Sequence, residues 1–448
     1  MRAPHRVRLD AGRENSAMLM TGPGIDERVP LDSIDLYDPR RFQTHPQHVA
    51  LATLREVAPV WAQHTPDGAR FWSVTRYDDV VRVLKDARRY SSEHGTILDV
   101  TGGDSAGGKT INLMDRPRHT AVRTPAFHTM TTNILAQRTE NIRAHVLRII
   151  EPLTAGGEHD FARSMFDLPM AAVGEILGIP RRYWADIPRW TMAGVAPDDP
   201  EFAKGQTAQT LREAHHDLFA MFSELIADRR REPRDDLVSR LTRVELDGAP
   251  MEDSLVLLNC YSFVMGATTT TPHTATHMLL ALLERPEVWR RVQENPELAA
   301  AAVQESLRWS TPTNHLMRRT RTEVEIAGTR IGAGELVVAW VASANRDDRV
   351  FTDPFSFLID RTPNPHIAFG IGPHYCVGGP AARVALTVLL EELVTRFDRF
   401  ELAGEPTHLR SNFINGLTRL PITAHPRTGA AKAARAARAA RAKEVTRS

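Results

Sequence analysis

Residues 369–379 read Phe369-Gly370-Ile371-Gly372-Pro373-His374-Tyr375-Cys376-Val377-Gly378-Gly379. A single cysteine closes a Gly-x-Gly loop, and an apolar helical pattern, PAARVALTVLLEELVTRF, runs on from 380 to 397. The glycines permit positive φ and let backbone come close to a flat ligand. N–H groups of the loop and of the helix start can hydrogen-bond a thiolate and lower its pKa, which keeps a deprotonated sulfur available as a metal ligand. The plainer reading is a structural cysteine beside a turn. Zinc fits poorly, because the chain has 2 cysteines and the other, Cys260, is remote in sequence.

Outward from this loop, most of the chain carries the spacing of amphipathic helices. The pattern predicts helices over 46–57, 131–153 and 207–231, two more over 286–309, and one after the short strand FWSVTRY at 71–77. Residues 252–283 read as one long apolar helix, capped by Asp253 or Ser254 and closed at ERPE. Pro272 lies inside it and has no N–H to give the Thr268 carbonyl, so a kink is expected. The stretch VEIAGTRIGAGELVVAW, 324–340, predicts a small antiparallel β-meander. The fold class is therefore mainly α with a small antiparallel β-rich region.

The 448 residues hold 56 Lys+Arg against 55 Asp+Glu, with 42% hydrophobic and 25% charged residues. This is ordinary globular composition, and it excludes a collagen-like, mucin-like or wholly disordered chain. A net charge of +1 gives no case for a nucleic-acid partner. Two cysteines exclude a disulfide framework and suit a reducing cytoplasm. With no apolar leader and no 18-residue apolar run, neither secretion nor a membrane anchor is expected. Residues 1–30 are polar and aperiodic and read as a flexible segment before one catalytic domain over 31–425. From 426 the chain turns to Ala/Arg/Lys repeats. Arg435, Arg438 and Arg441 recur every third residue and spiral around any helix, so a solvated tail is expected rather than a nucleic-acid or lipid contact.

Four strings, in order across residues 35–422, resemble the cytochrome P-450 family. The loop matches its FGxGxHxCxG pattern. Glu305-Ser306-Leu307-Arg308 matches its ExxR motif. Ala344-Asn345-Arg346-Asp347, followed by Phe351, Asp353-Pro354 and Phe355, matches its ANRDP…FxDPxF stretch, with Asp348 replacing the first proline. Met114-Asp115-Arg116-Pro117-Arg118-His119, then Arg123, matches its DPPxHxxxR segment.

The resemblance implies the family's triangular helical domain and heme b (iron protoporphyrin IX), with the Cys376 thiolate as axial ligand. It places His119, Arg123, Arg318 and His374 at the two propionates, with Arg319 as a rival to Arg318, and Phe369, Gly370 and Gly378 in the ligand loop. Glu305, Arg308 and Arg361 then form a buried ion network with a structural role. The implied activity puts one atom of O2 into a C–H bond or alkene of a lipophilic small molecule, such as a sterol, terpenoid, polyketide or other secondary metabolite. The chain length leaves no room for a flavin or iron–sulfur domain, so the expected electron donors are a separate ferredoxin and its NAD(P)H-dependent reductase. A monomer is expected.

On the distal side the family's (A/G)-G-x-(D/E)-T-(T/S) pattern falls on Gly266-Ala267-Thr268-Thr269-Thr270-Thr271. The resemblance makes Thr270 the oxygen-activating alcohol and puts Thr269 where an acid usually stands, although four threonines leave the register open by one. A hydroxyl can pass a proton but supplies no charge. The threonines also have a purely structural option, bonding to i−4 carbonyls. Pro272 either frees the Thr268 carbonyl to hold relay water or simply bends the helix. Gly266 lets oxygen and substrate approach closely; Ser262, Met265, Asn314, Leu316, Phe413 and Ile414 are the expected substrate contacts. The segments SNFINGLTRLPI and THML resemble the bacterial branch that oxidises sterols, terpenoids and branched lipids. Two alternatives stand beside the monooxygenase: a peroxide-driven or rearranging heme enzyme, and a catalytically silent helper.

Overall fold

In the computed structural model, which describes residues 28–44, 47–427 and 429, the helical patterns become α1 (Gln47–Val57), α2 (Tyr77–Lys85), α3 (Arg118–His128), α4 (Thr132–Ile150), α5 (Thr207–Arg231), α6 (Asp253–Thr268), α7 (Thr271–Leu283), α8 (Ala299–Ser310) and α9 (Gly379–Arg396), with shorter helices between them. Most of the expected flexible N-terminal segment and nearly all of the basic tail, including Arg435, Arg438 and Arg441, lie outside the described residues. Helix α9 opens on Gly379-Pro380, where a proline forgoes only an N–H that has no helical partner. Its buried Leu386, Leu389, Leu390 and Leu393 pack against α4 and α8. Arg143 of α4 pins it by bonds to Glu391 (2.9 Å) and Glu392 (2.6 Å). Helix α5 crosses α6, and α7 lies on α8. Among the described residues, no helix is long and apolar enough to cross a membrane.

Three expectations are corrected. The apolar run 252–283 is two helices: α6 ends at Thr268, Thr270 leaves helical geometry at φ −123° and ψ −47°, and α7 restarts with Pro272 in its first turn. The proline that looked like a kink is thus at a helix start, the position it tolerates best. Neither Asp253 nor Ser254 caps α6. Glu252 holds the cap position without a side-chain bond, and the Asp253 carboxylate is taken by Arg230 at 2.8 Å. The expected meander is divided as well. Val324–Ile326 and Thr329–Ile331 form their own hairpin, and the last strand joins a larger sheet. That sheet contains β1 (Val60–His64), β2 (Arg70–Val74), β3 (Tyr90–Ser91), β4 (Leu316–Thr320) and β5 (Leu336–Ala339), in the order β1-β2-β5-β4-β3. All four β5 side chains are buried, which a central strand provides and a two-stranded hairpin does not. Its pairing with β2 is parallel and the other pairs of the sheet are antiparallel.

Beneath the sheet, Arg308 of α8 has every N–H satisfied. It makes two bonds to Glu305 (2.8 and 2.7 Å) and three to the carbonyls of Asn345, Pro354 and Ser356. Arg361 adds a second cation 3.2 Å from Glu305, whose carboxylate also accepts from the Leu358 N–H at 2.9 Å. Removing one partner of a buried pair leaves an uncompensated charge and costs about 3–5 kcal/mol. Glu305→Gln is therefore expected to lower the urea unfolding midpoint by a corresponding amount; a midpoint equal to wild type would show that the network carries no stability.

Candidate active site

The loop before α9 is shaped by glycine. Gly370 and Gly372 have φ of 67° and 81°, and a Cβ on Gly372 would lie 2.8 Å from the Leu84 carbonyl oxygen. The Cys376 N–H donates to the Phe369 carbonyl at 2.9 Å and folds the loop back. The Cys376 side chain is accessible, while Cys260 is fully buried and its thiol is pushed strongly up by that burial. The surroundings of Cys376 are nevertheless dense enough to raise its own pKa. The Gly378 N–H, Arg123 and the Gly379 N–H oppose that rise without cancelling it. Phe369 supports the loop, with the Arg383 guanidinium 4.4 Å from its ring centre and bonded on to the Tyr375 hydroxyl at 3.0 Å.

Next to the loop, elements from three parts of the chain bring two arginines and two neutral imidazoles together. The His119 and His374 rings are 4.2 Å apart. Arg123 of α3 donates to the Tyr375 carbonyl at 2.6 Å. Arg318 of β4 is buried and bonds the Met317 carbonyl, whereas Arg319, on the opposite face of the strand, is exposed and bonds Gly334. Strand alternation thus separates the two rivals. Among the described residues, neither Arg123 nor Arg318 has an ion pair and the His119 Nε2 has no partner; the nearby Asp115 is occupied by Arg321 and Ser91. Burial lowers His119 to about 4, and burial with Arg318, His119 and Arg123 lowers His374 to about 2. Burial also lowers Arg318 to about 10. Ser92, which contacts His374 at 3.3 Å, and Arg321 escaped sequence reading because neither belongs to a motif string.

On the helix break, a Cβ at Gly266 would meet nothing within 4 Å, so α6 opens onto free space there. The hydroxyls of Thr268, Thr269 and Thr270 bond back to the carbonyls of Val264, Met265 and Gly266 at 2.7, 2.8 and 2.8 Å. Thr268 also bonds Thr191. Thr269 is 3% exposed, whereas Thr270 is only half-buried. Of the expected substrate contacts, Ser262, Met265, Leu316 and Phe413 are partly open. Ser262 bonds Asn112 at 2.8 Å, and Leu316 lies 3.7 Å from a Cβ built on Gly370. Asn314 and Ile414 are buried at 6% and 1%, with the Asn314 amide bonded to the Asn412 carbonyl.

The residue between Asn314 and Leu316 was overlooked in the sequence. His315 is fully buried; its Nε2 accepts from the Leu98 N–H at 3.0 Å and its Nδ1 faces the Asn412 carbonyl at 3.3 Å. Only the neutral ring does both, and burial lowers its pKa from 6.5 to about 3. Below pH 6.5 the unfolded chain binds a proton that the folded chain refuses, so this contribution to stability is complete above 6.5 and declines as pH falls toward 3. His315→Asn is expected to flatten the fall of unfolding free energy between about pH 6 and pH 4 by about 1.4 kcal/mol per pH unit, read from urea titrations; an unchanged slope would contradict a neutral ring.

Residues 185–423 match the family model described as "Cytochrome P450". The linalool 8-monooxygenase of Pseudomonas putida is 31% identical over 88% of this chain and 99% of its own length. Cytochrome P450 NovI of Streptomyces niveus is 32% identical over 88% of this chain and 96% of its own. Among solved structures, the Mycobacterium marinum cytochrome P450 CYP268A2 in complex with pseudoionone superposes with a TM-score of 0.82 at 28% identity, covering 88% of this chain and 99% of that one. P450 OxyD, involved in the biosynthesis of vancomycin-type antibiotics, gives 0.78 at 31% identity, covering 88% and 100%. An accessible cysteine on a glycine loop, a buried cation cluster beside it and an open helix break are thus found within a shared fold and sequence, and the chain belongs to the cytochrome P450 family of monooxygenases.

Proposed function

We propose that this chain is a heme-thiolate monooxygenase that puts one oxygen atom of O2 into a lipophilic small molecule, with Cys376 as the iron ligand. The carrying observation is the unbalanced charge beside the cysteine: Arg123 and Arg318 without ion pairs, and His119 with an unpartnered Nε2. Two carboxylates on a flat, dianionic group would satisfy that set by charge-assisted hydrogen bonds. The accessible Cys376 sulfur, with the N–H groups of Gly378 and Gly379 turned toward it, fits the same group's metal.

When bound, the heme supplies oxygen activation and electron uptake. The protein's own work is positional. The loop N–H groups and Arg123 favour negative charge on the Cys376 sulfur against the burial that opposes it, a shift that binding a metal ion would complete. Gly266 leaves room beside the break, and the half-buried Thr270 hydroxyl, now donating to the Gly266 carbonyl, would release that bond to pass a proton there. Met265, Leu316 and Phe413 offer apolar surface to a substrate, and Ser262 with Asn112 offers a polar edge. Relatives are named for linalool and, in Mycolicibacterium smegmatis, for steroid C26 oxidation, so terpenoids and sterols lead the candidate substrates. Electrons come from a separate ferredoxin and reductase, and the enzyme works as a cytoplasmic monomer. A peroxide-driven reaction is the second reading, favoured by the hydroxyl of Thr269 where the family has an acid.

Two outcomes are expected. Cys376→Ala should abolish the thiolate-type carbon monoxide band of the dithionite-reduced protein; persistence of the band would move the ligand to Cys260. Arg123→Ala should speed heme transfer to an apo-globin by an amount matching about 1.5–3 kcal/mol, whereas Arg118→Ala, which loses only a surface contact to Asp247 at 3.4 Å, should not. Equal transfer rates for the two variants would remove Arg123 from the heme site.

A further inference from the structure

Buried polar atoms without a hydrogen-bond partner are rare, and such an atom calls for a water, an ion or another polar group to complete it. Among the described residues, eight of the fifteen such side-chain atoms belong to four neighbouring places: both ring nitrogens of His273 and of His277, Trp309 Nε1 with Ser310 Oγ, and Nε and Nη1 of Arg346. These residues are contiguous. His273 and His277 are one turn apart on α7, which packs on α8, the helix that ends in Trp309 and Ser310. Arg346 donates to the Trp309 carbonyl at 2.6 Å and stands 5.0 Å from its ring centre. Asn415, bonded to the Ser310 carbonyl, and Leu417 bring backbone near the two imidazoles without well-formed hydrogen bonds. Between them, Gly416 lies so close that a Cβ would sit 2.6 Å from the His273 Nδ1.

Left unbonded, these atoms would cost more than a marginally stable domain can carry, and the weak contacts of the Leu417 and Asn415 backbone relieve one nitrogen of each ring at most. Water completes them better than an anion does. Burial keeps both rings neutral, holding His273 at about 4 and His277 well below the ordinary histidine value. Each ring therefore has one donor and one acceptor nitrogen, and an anion cannot donate to the acceptor.

The cluster also has two ends. His273 is three residues beyond Thr270 and four beyond Thr269, on the turn of α7 next to the break, where Pro272 offers no N–H to the Thr268 carbonyl. At the other end stand His48 and His408, both half-buried and near enough to feel the charge of His277. Gln43 there bonds the His408 carbonyl at 3.1 Å.

We propose that His273, His277 and Arg346 line a buried row of waters that carries protons from the surface at His48 and His408 to the break at Thr269–Thr270, in place of the acid this chain lacks. The inference rests on the heme-thiolate reading above. The proton comes from bulk water and only N–H and O–H bonds are exchanged. Each imidazole accepts at one nitrogen and releases from the other, and no oxidant or reductant is consumed.

The test supplies the heme-loaded enzyme with O2 and with electrons from NADPH through a plant ferredoxin and its reductase, with linalool as probe, and compares the hydrogen peroxide released per NADPH in wild type, His277→Leu and His277→Asn. His277→Leu should release more peroxide per NADPH, on the order of tenfold, with heme content and the carbon monoxide band unchanged, and His277→Asn should return most of the way to the wild-type ratio. A high-resolution crystal structure of the wild type should show ordered water beside both imidazoles. A wild-type peroxide ratio in His277→Leu, no recovery in His277→Asn, or a crystal without water beside the imidazoles would each overturn the proposal. If His277→Leu does not keep heme, His273→Phe, beside Phe166, is judged by the same criteria. Loss of the thiolate band in the wild type itself would overturn the heme-thiolate reading, and the water density would still decide whether the row exists.

Discussion

The bond pair between Glu305 and Arg308 is the constraint on which the ligand loop depends. Both side chains are almost wholly buried, so each must find its full set of partners inside the protein. Arg308 finds its remaining partners in carbonyls at 345, 354 and 356, and Glu305 finds Leu358, Arg361 and Asn364. The irregular segment 345–364 is thereby fixed to α8 by its backbone rather than by a sheet. Asn345 passes the constraint on, its side chain accepting from the Ile367 N–H at 2.8 Å and donating to Thr311. Two residues later the chain enters the glycine loop at Phe369. The loop can therefore be rich in glycine and still hold one geometry.

The cation cluster follows a different logic. Among the described residues, several structural cations are paired closely, Arg229 with Asp236, Arg143 with Glu391 and Glu392, Arg321 with Asp115, while the buried Arg55 and Arg346 bond only neutral groups far from the cysteine. Arg123 and Arg318 are left without carboxylates while burial pulls their pKa values down. An arrangement that costs the bare protein electrostatic energy is preorganised for a partner of opposite charge. Its members come from a strand, a helix and the loop, so three separate elements fix their relative places.

The sequence was most informative where chemistry and spacing coincide. The Gly-x-Gly loop with Cys376, the Glu305–Arg308 pair at i and i+3, and the helical periods over 46–57, 131–153 and 207–231 all depend on local rules, and the helices are found at 47–57, 132–150 and 207–231. Choosing Arg318 over Arg319 needed the register of β4 against β5, Val337 opposite Arg318, which is a long-range pairing. The fate of 324–340 failed for the same reason, since β5 finds its partners 265 residues away in β2. His315 was invisible because a histidine between two candidate contacts has no motif, and its role is set by Leu98 and Asn412 from distant loops.

The break between α6 and α7 shows how a local signal can be read correctly and placed wrongly. Pro272 does deprive the Thr268 carbonyl of an N–H, as its chemistry requires. A proline inside one helix would strain it, so the chain instead ends α6 at Thr268 and lets Pro272 start α7. The threonine run suits this interruption, because each hydroxyl bonds a carbonyl of the preceding turn where the ladder is about to fail. Three hydroxyls are thereby committed to backbone, and Thr269, the position that the proposed register gives to the family's acid, is nearly sealed. A carboxylate there would be desolvated against the Met265 carbonyl, an acceptor facing an acceptor, which is unfavourable without a cation. The stop and restart of the helix thus disfavours the usual acid at its usual place, and it does so beside the unpartnered imidazoles of His273 and His277.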